Sequence, residues 1–206
     1  MNKLVKKLEE LKNSNVQKTV NSRISEFRDI GKSDEKIFSE LCFCILTANF
    51  NAERSIKIQE KIGAGFSRFS QTRLSSELRR LGHRYPNTRA KYIVEARKFK
   101  KDLPKILKTL KGNELRDWLV KNIKGLGYKE ASHFLRNIGQ DDFAIIDFHI
   151  IDILVRYGII EKPKTLTRKK YLEIEQKLKQ IAEETNLTLA ELDLYLWFLE
   201  TGRVLK

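Results

Sequence analysis

Apolar residues along this chain recur at intervals of three and four, the spacing that gathers them on one face of an α-helix. Leu4, Leu8 and Leu11 form such a stripe near the start, and Tyr171, Ile174, Leu178 and Ile181 form another near the end. Strict apolar–polar alternation, the mark of a half-buried strand, is missing. The same periodicity predicts helices at about 16–29, 34–48, 52–62, 71–81, 88–101, 104–110, 114–122, 128–137 and 147–157. A last long helix opens at Thr188-Leu-Ala-Glu191, a capping box in which each side chain satisfies the other's backbone donor, and it stops at Gly202. Gly63 and Gly82 read as stops of two earlier helices, and Pro104 suits a first helical turn. The short apolar run Phe143-Ala-Ile-Ile146 reads as a buried loop. An all-α fold is expected.

Composition narrows the partners. With 206 residues, 41% of them hydrophobic and 33% charged, the chain can bury a substantial core and is not of the disordered type. Its formal net charge of +14 favours a polyanion, either nucleic acid or an anionic membrane surface. No apolar run approaches the ~20 residues of a membrane span. The opening MNKLVKKLEELKN is charged throughout and lacks the apolar core of a secretion signal. These features point to a cytoplasmic protein with nucleic acid as its partner.

The charge is concentrated. Residues 89–124 hold twelve Lys or Arg against four acids (Glu95, Asp102, Glu114, Asp117), a net +8 and more than half the total. A solvated helix face would look similar, but the position just before the next motif favours a surface for phosphates. Cys42 and Cys44 are the two cysteines. Two residues apart on a helix, they point in different directions and cannot share a metal, so they read as small buried residues.

The motif is Ile123-Lys-Gly125-Leu-Gly127-Tyr-Lys129-Glu-Ala131. One predicted helix ends at its start and another begins near Tyr128. Gly125 and Gly127 permit a tight turn and close approach of another backbone. The first amides of the second helix, with its dipole, favour an anion, so this turn can meet a DNA phosphate without reading sequence. Lys124 adds charge beside it. Lys129 lies two residues past the second glycine, where the positive helix end works against an ammonium. A neutral amine is what a Schiff-base nucleophile requires, although a plain phosphate-binding lysine would occupy the same place. Asp147, 18 residues on, follows the apolar run and opens the next helix. It suits a carboxylate that takes a proton and stabilises positive charge, and equally an N-cap; one side chain can do both. His149 reads as structural.

Lys129 in such a hairpin with Asp147 downstream resembles the helix-hairpin-helix DNA glycosylase superfamily, which includes endonuclease III. Further segments resemble its archaeal-type 8-oxoguanine DNA glycosylase/lyase group: Leu41-Cys-Phe-Cys-Ile-Leu-Thr-Ala-Asn49-Phe, Leu81-Gly-His-Arg84, Lys129-Glu-Ala-Ser-His-Phe-Leu-Arg-Asn137, Ala144-Ile-Ile-Asp147, Leu192-Asp-Leu-Tyr-Leu-Trp197 and Thr201-Gly-Arg-Val-Leu-Lys206. The absence of a cysteine quartet also fits that group. The resemblance implies two helical lobes with an active-site cleft between them: residues 33–138, ending in the hairpin, and 1–32 with 139–206. It implies that Lys129 attacks the sugar C1′, displaces 8-oxoguanine and cuts the strand by β-elimination, with Asp147 as partner carboxylate. The main-chain carboxylate of Lys206 would read the base, and Trp197 and Tyr85 would stack on it, unless Trp197 serves only core packing. Asn49 and Arg84 would fill the gap left by the flipped base or face its former partner. Phe148 stands where relatives are expected to carry a polar or basic residue.

A monomer is expected, since a cleft that binds a bent duplex needs no second copy, and the resemblance implies a nucleoid-associated protein of archaeal source acting on double-stranded DNA. No cofactor is expected, and the hairpin's carbonyls offer a site for a monovalent cation. The sequence also fits two other readings: a non-enzymatic helix-hairpin-helix DNA-binding module, and a glycosylase for another lesion.

Overall fold

Short polar side chains mark where many of the helices begin. Ser33, Asn51, Ser70, Asp147, Thr167 and Thr188 each accept a hydrogen bond from a backbone N–H in the first turn of the helix that follows. The computed structural model describes residues Met1–Lys206. In chain order the helices are α1 (Asn2–Lys12), α2 (Val16–Ile30), α3 (Asp34–Thr47), α4 (Ala52–Ile62), α5 (Gly65–Arg68), α6 (Gln71–Arg80), α7 (Pro86–Ala96), α8 (Leu103–Thr109), α9 (Gly112–Asn122), α10 (Tyr128–Asn137), α11 (Phe148–Arg156), α12 (Arg168–Glu184) and α13 (Leu189–Thr201). The fold is all-α, as the periodicity predicts. Thr188 and Glu191 form the expected reciprocal cap, and Gly202 stops α13 in the left-handed conformation at φ 71°.

Three local differences have physical causes. The helix expected over 88–101 starts earlier, at Pro86, because a proline at the first position sets φ and lacks only an N–H that would have no partner. It also ends earlier and tightens into a 3-10 turn at Arg97–Phe99, where the Arg97 side chain donates to the Phe66 carbonyl at 2.8 Å. The four-residue α5 carries too few positions to show a period.

The chain forms two compact units, one of Met1–Asp29 with Leu135–Lys206 and one of Ile30–Phe134. Within Ile30–Phe134, α3 packs on α4 and α7, and α7 packs on α6. Leu41 through Leu46 of α3 are all essentially inaccessible, as befits a helix that is apolar all round. Cys42 and Cys44 are among them, both free thiols. No helix is long and apolar enough to cross a membrane.

In the other unit α13 packs against α1, α11 and α12. Residues 143–146 are buried and irregular, so their backbone needs partners other than a helix ladder. Tyr171 and Glu175 of α12 provide them. The Tyr171 hydroxyl donates to the Ala144 carbonyl (2.7 Å) and accepts from the Ile146 N–H (3.2 Å), while Glu175 accepts from the Ala144 N–H (3.1 Å). This framework delivers the chain to Asp147.

A buried ion pair joins Arg136 to Asp193 of α13 in the same unit. Arg136 donates to Asp193 and, through Nε, to Asn137 Oδ1 at 3.0 Å, with its guanidinium 4.9 Å from the centre of the Phe27 ring. Burial pushes the Asp193 carboxyl up to about 6; Arg136 pulls it down and the charge of Asp147 adds to the rise. Removing one partner of a buried pair leaves the other charge without compensation. Asp193→Ala is therefore expected to destabilise the protein by about 3–5 kcal/mol in chemical denaturation, and Asp193→Asn, which keeps an acceptor for Arg136, by less.

Candidate functional site

The hairpin between α9 and α10 is built on two glycines that do different work. Gly125 has φ +91°, and a Cβ there would lie 2.7 Å from Tyr92 Cδ2 and 3.3 Å from Arg89 Nη1. Both the backbone conformation and the neighbouring α7 side chains require glycine. Gly127 meets only the flexible Glu130 carboxylate, 3.1 Å from where a Cβ would stand. Ile123 and Leu126 are buried and anchor the turn from below. The Tyr128 hydroxyl donates to Asp117, fastening the start of α10 to α9.

Lys129 occupies the first turn of α10 with its side chain 28% exposed. Its Nζ lies 3.1 Å from Glu130 Oε1. The other oxygen, Glu130 Oε2, accepts from the Gly127 N–H at 3.1 Å. Gly127 thus stands at the N-cap and Glu130 three positions on, which is half of a capping box, the glycine having no side chain to return the bond. Lys124 is exposed and pairs with Glu95 of α7 at 3.0 Å.

A second cluster forms at the C-terminal end of α3, where helix carbonyls lack intrahelical partners. Arg89 of α7 donates to the Ala48 carbonyl, and His83 Nε2 lies 3.1 Å from the Leu46 carbonyl. The Tyr85 N–H donates to His83 Nδ1 at 3.0 Å. Burial, foremost, pushes the His83 imidazole below its ordinary range, which suits a neutral ring with its proton on Nε2. Asn49 follows Ala48 in the left-handed conformation, φ 57°. Asn is among the few residues that enter that region readily. The Tyr85 ring is 37% exposed and lies beneath two guanidinium groups, Arg84 at 5.1 Å and Arg89 at 5.8 Å from its centre.

Arg89 therefore touches the end of α3, the Tyr85 ring and the space above Gly125. It brings Asn49, Arg84 and Tyr85 into the same neighbourhood as the hairpin turn. Neither Arg89 nor Glu130 stands out in the sequence. Arg89 is one of twelve basic residues in its stretch, and its partner at Ala48 is 41 residues away.

Residues 135–206 carry the other candidates. Asp147 caps α11, its Oδ1 accepting from the Ile150 N–H at 3.0 Å, so the capping role is filled. Next to it Phe148 is 67% exposed. Its ring centre lies 3.9 Å from that of His149, which in turn meets Trp197 edge-on at 4.9 Å. Trp197 is half-buried and its buried Nε1 has no hydrogen-bond partner. Lys206, at the end of the tail that follows α13, is also half-buried. No group of three His, Cys, Asp or Glu residues is placed to hold a metal ion.

The chain resembles known proteins over nearly its full length. Residues 20–187 match the Ogg-HhH family, described as 8-oxoguanine DNA glycosylase. The 8-oxoguanine DNA glycosylase/AP lyase of Methanocaldococcus jannaschii is 54% identical over 206 residues, covering 98% of this chain and 99% of the relative. That of Korarchaeum cryptofilum is 52% identical over 205 residues and covers 98% of both. Among solved structures, the M. jannaschii 8-oxoguanine glycosylase/lyase in complex with a 15mer DNA containing 8-oxoguanine superposes with a TM-score of 0.95 at 54% identity, covering 98% of this chain and 99% of that one. The Thermotoga maritima 8-oxoguanine DNA glycosylase superposes with a TM-score of 0.93 at 42% identity, covering 100% and 99%.

The two hairpin glycines should respond unequally to a methyl group. Gly125→Ala combines a left-handed backbone with a clash against Tyr92, so it should lower stability by at least ~1–2 kcal/mol, or roughly 2–8 °C in Tm for a chain of this size. Gly127→Ala displaces only a flexible carboxylate and should lower Tm by much less. Thermal melts followed by circular dichroism check the order, and equal shifts would contradict this account of the turn.

Proposed function

The chain belongs to the 8-oxoguanine DNA glycosylase family, and from that premise we propose that it excises 8-oxoguanine from double-stranded DNA and cuts the strand as an AP lyase. The observation that carries the reading is Lys129, a partly exposed amine set by the first turn of α10 beside the Gly127 amide. Support comes from the relatives named for this activity and from the DNA complex of one of them.

In this reading the hairpin amides and Lys124 seat a DNA phosphate, which positions the duplex without reading its sequence. The damaged nucleotide leaves the stack, as it must for its C1′ to be reached. Lys129, once it has shed a proton and its Glu130 partner, attacks C1′ through Nζ. The bond from C1′ to the base breaks, and the base leaves with the electron pair and takes up a proton. The sugar ring opens to an imine on Lys129. Loss of a C2′ proton then expels the 3′ phosphate, which is β-elimination, and water finally releases the lysine. Asp147, fixed by its capping bond, takes the proton of the amine and stabilises the positive charge that develops on the sugar. Trp197 and Tyr85 stack on the flipped base, at ~1–3 kcal/mol for such a contact. Lys206 joins them in recognition, and Asn49 and Arg84 face the opened duplex. This chemistry calls on an amine and a carboxylate, and one copy of the chain suffices for it.

Borohydride trapping tests the assignment. A duplex with one 8-oxoguanine opposite cytosine should give a covalent adduct, the undamaged duplex none, and Lys129→Gln none on either. Asp147→Asn should slow single-turnover trapping at least ~100-fold, the lower end for loss of a general acid–base group. Tight binding to both duplexes without an adduct on 8-oxoguanine or on an abasic site would leave a DNA-binding module in place of an enzyme.

A further inference from the structure

The Glu130 carboxylate faces two groups that the reaction above needs elsewhere. One oxygen lies 3.1 Å from Lys129 Nζ, and the other accepts from the Gly127 N–H, also at 3.1 Å. Gly127 is exposed, whereas the Glu130 side chain is only 15% exposed. Placed so, the carboxylate occupies the position at a helix start where an external oxyanion would be held. The surrounding charge is basic: Arg89 of α7 attracts Glu130, and Lys124 lies on the turn itself. A DNA phosphate arriving at the Gly127 amide is a second anion in the same space, and two anions close together repel.

We propose that Glu130 is a positioning residue that stands in for the DNA phosphate: in the free protein it holds the Gly127 amide and the Lys129 amine, and an incoming phosphate displaces it and thereby frees the nucleophile. The inference rests on the reading of Lys129 and of the hairpin given above. It adds that docking on the backbone and release of the amine are one exchange. No covalent bond is made or broken in this step; the Gly127 N–H passes from Glu130 to the phosphate, and the Lys129–Glu130 ion pair is given up. The device keeps a reactive amine paired until DNA is seated.

Glu130→Gln separates this from plain capping, because glutamine still offers Gly127 an acceptor but neither pairs with Lys129 nor repels a phosphate. Single-turnover borohydride trapping on an abasic-site duplex, across a range of protein concentrations, gives both a half-saturating concentration and a saturating rate. The expected result is half-saturation at least threefold lower than wild type, with a saturating rate that does not fall. Glu60→Gln, which removes an exposed charge on α4, should shift half-saturation less than threefold and so excludes a general field effect. Glu130→Asp keeps the charge and should bind no more tightly than wild type. Melting curves confirm that each variant is folded. A gain below threefold, or one matched by Glu60→Gln, overturns the proposal. So does a tenfold fall in the saturating rate, which would make Glu130 a participant in the chemistry. Absence of any adduct with the wild-type protein would instead sink the enzymatic reading itself.

Discussion

A guanidinium buried at the end of a helix organises the unit formed by Ile30–Phe134. The last carbonyls of the buried α3 have no intrahelical N–H to accept from, and that of Thr47 takes the Phe50 N–H at 3.0 Å. Arg89 covers one of them at Ala48 and His83 another at Leu46. Once Arg89 is fixed there, its neighbours are constrained as well. The Tyr85 ring lies beneath its charge, and the hairpin turn must pass close enough that Gly125 can carry no side chain. A burial problem at one helix end thereby sets the place of a candidate base-stacking ring and the path of a candidate phosphate-binding turn.

The hairpin shows how sparing such a turn can be. It is exposed at Gly127, a residue with no side chain, and the same lack leaves half of a capping box empty. Glu130 fills the remaining half and contacts Lys129 as well. In the other unit the same economy appears in reverse. Asp147 is held by a backbone N–H of α11, and the irregular run before it is held by the hydroxyl and carboxylate of α12. A loop residue is given a fixed place by rigid elements on either side.

Much of this could be read from the sequence because it depends on neighbours in the chain. Helical periodicity, the Thr188–Glu191 box, Gly202 as a stop, Asp147 as a cap and the Gly125–Gly127 turn are all local signals, recorded within a few residues. The 143–146 run was legible as a buried loop, but Tyr171 and Glu175, which hold it, lie 25 to 31 residues away. Arg136 and Asp193 are separated by 57. An arginine in a lysine-rich stretch reads as surface charge until the carbonyl it serves is known, so Arg89 stayed hidden. Glu130 was in view within the motif, yet its two contacts depend on the turn's geometry and not on its identity.

The two thiols of α3 have a consequence for chemical durability. A cysteine reacts with oxidants as the thiolate and only where the oxidant can reach it. Cys42 and Cys44 have no accessible surface, and burial pushes the Cys42 thiol far up, away from ionisation. The sulfur of this chain is completed by Met1. In the proposed function the substrate is a guanine that peroxides or radicals have oxidised. Here those species find no thiol at the surface to convert to sulfenic acid or to a stray disulfide, and they would have to open the unit around α3 before they could inactivate it that way.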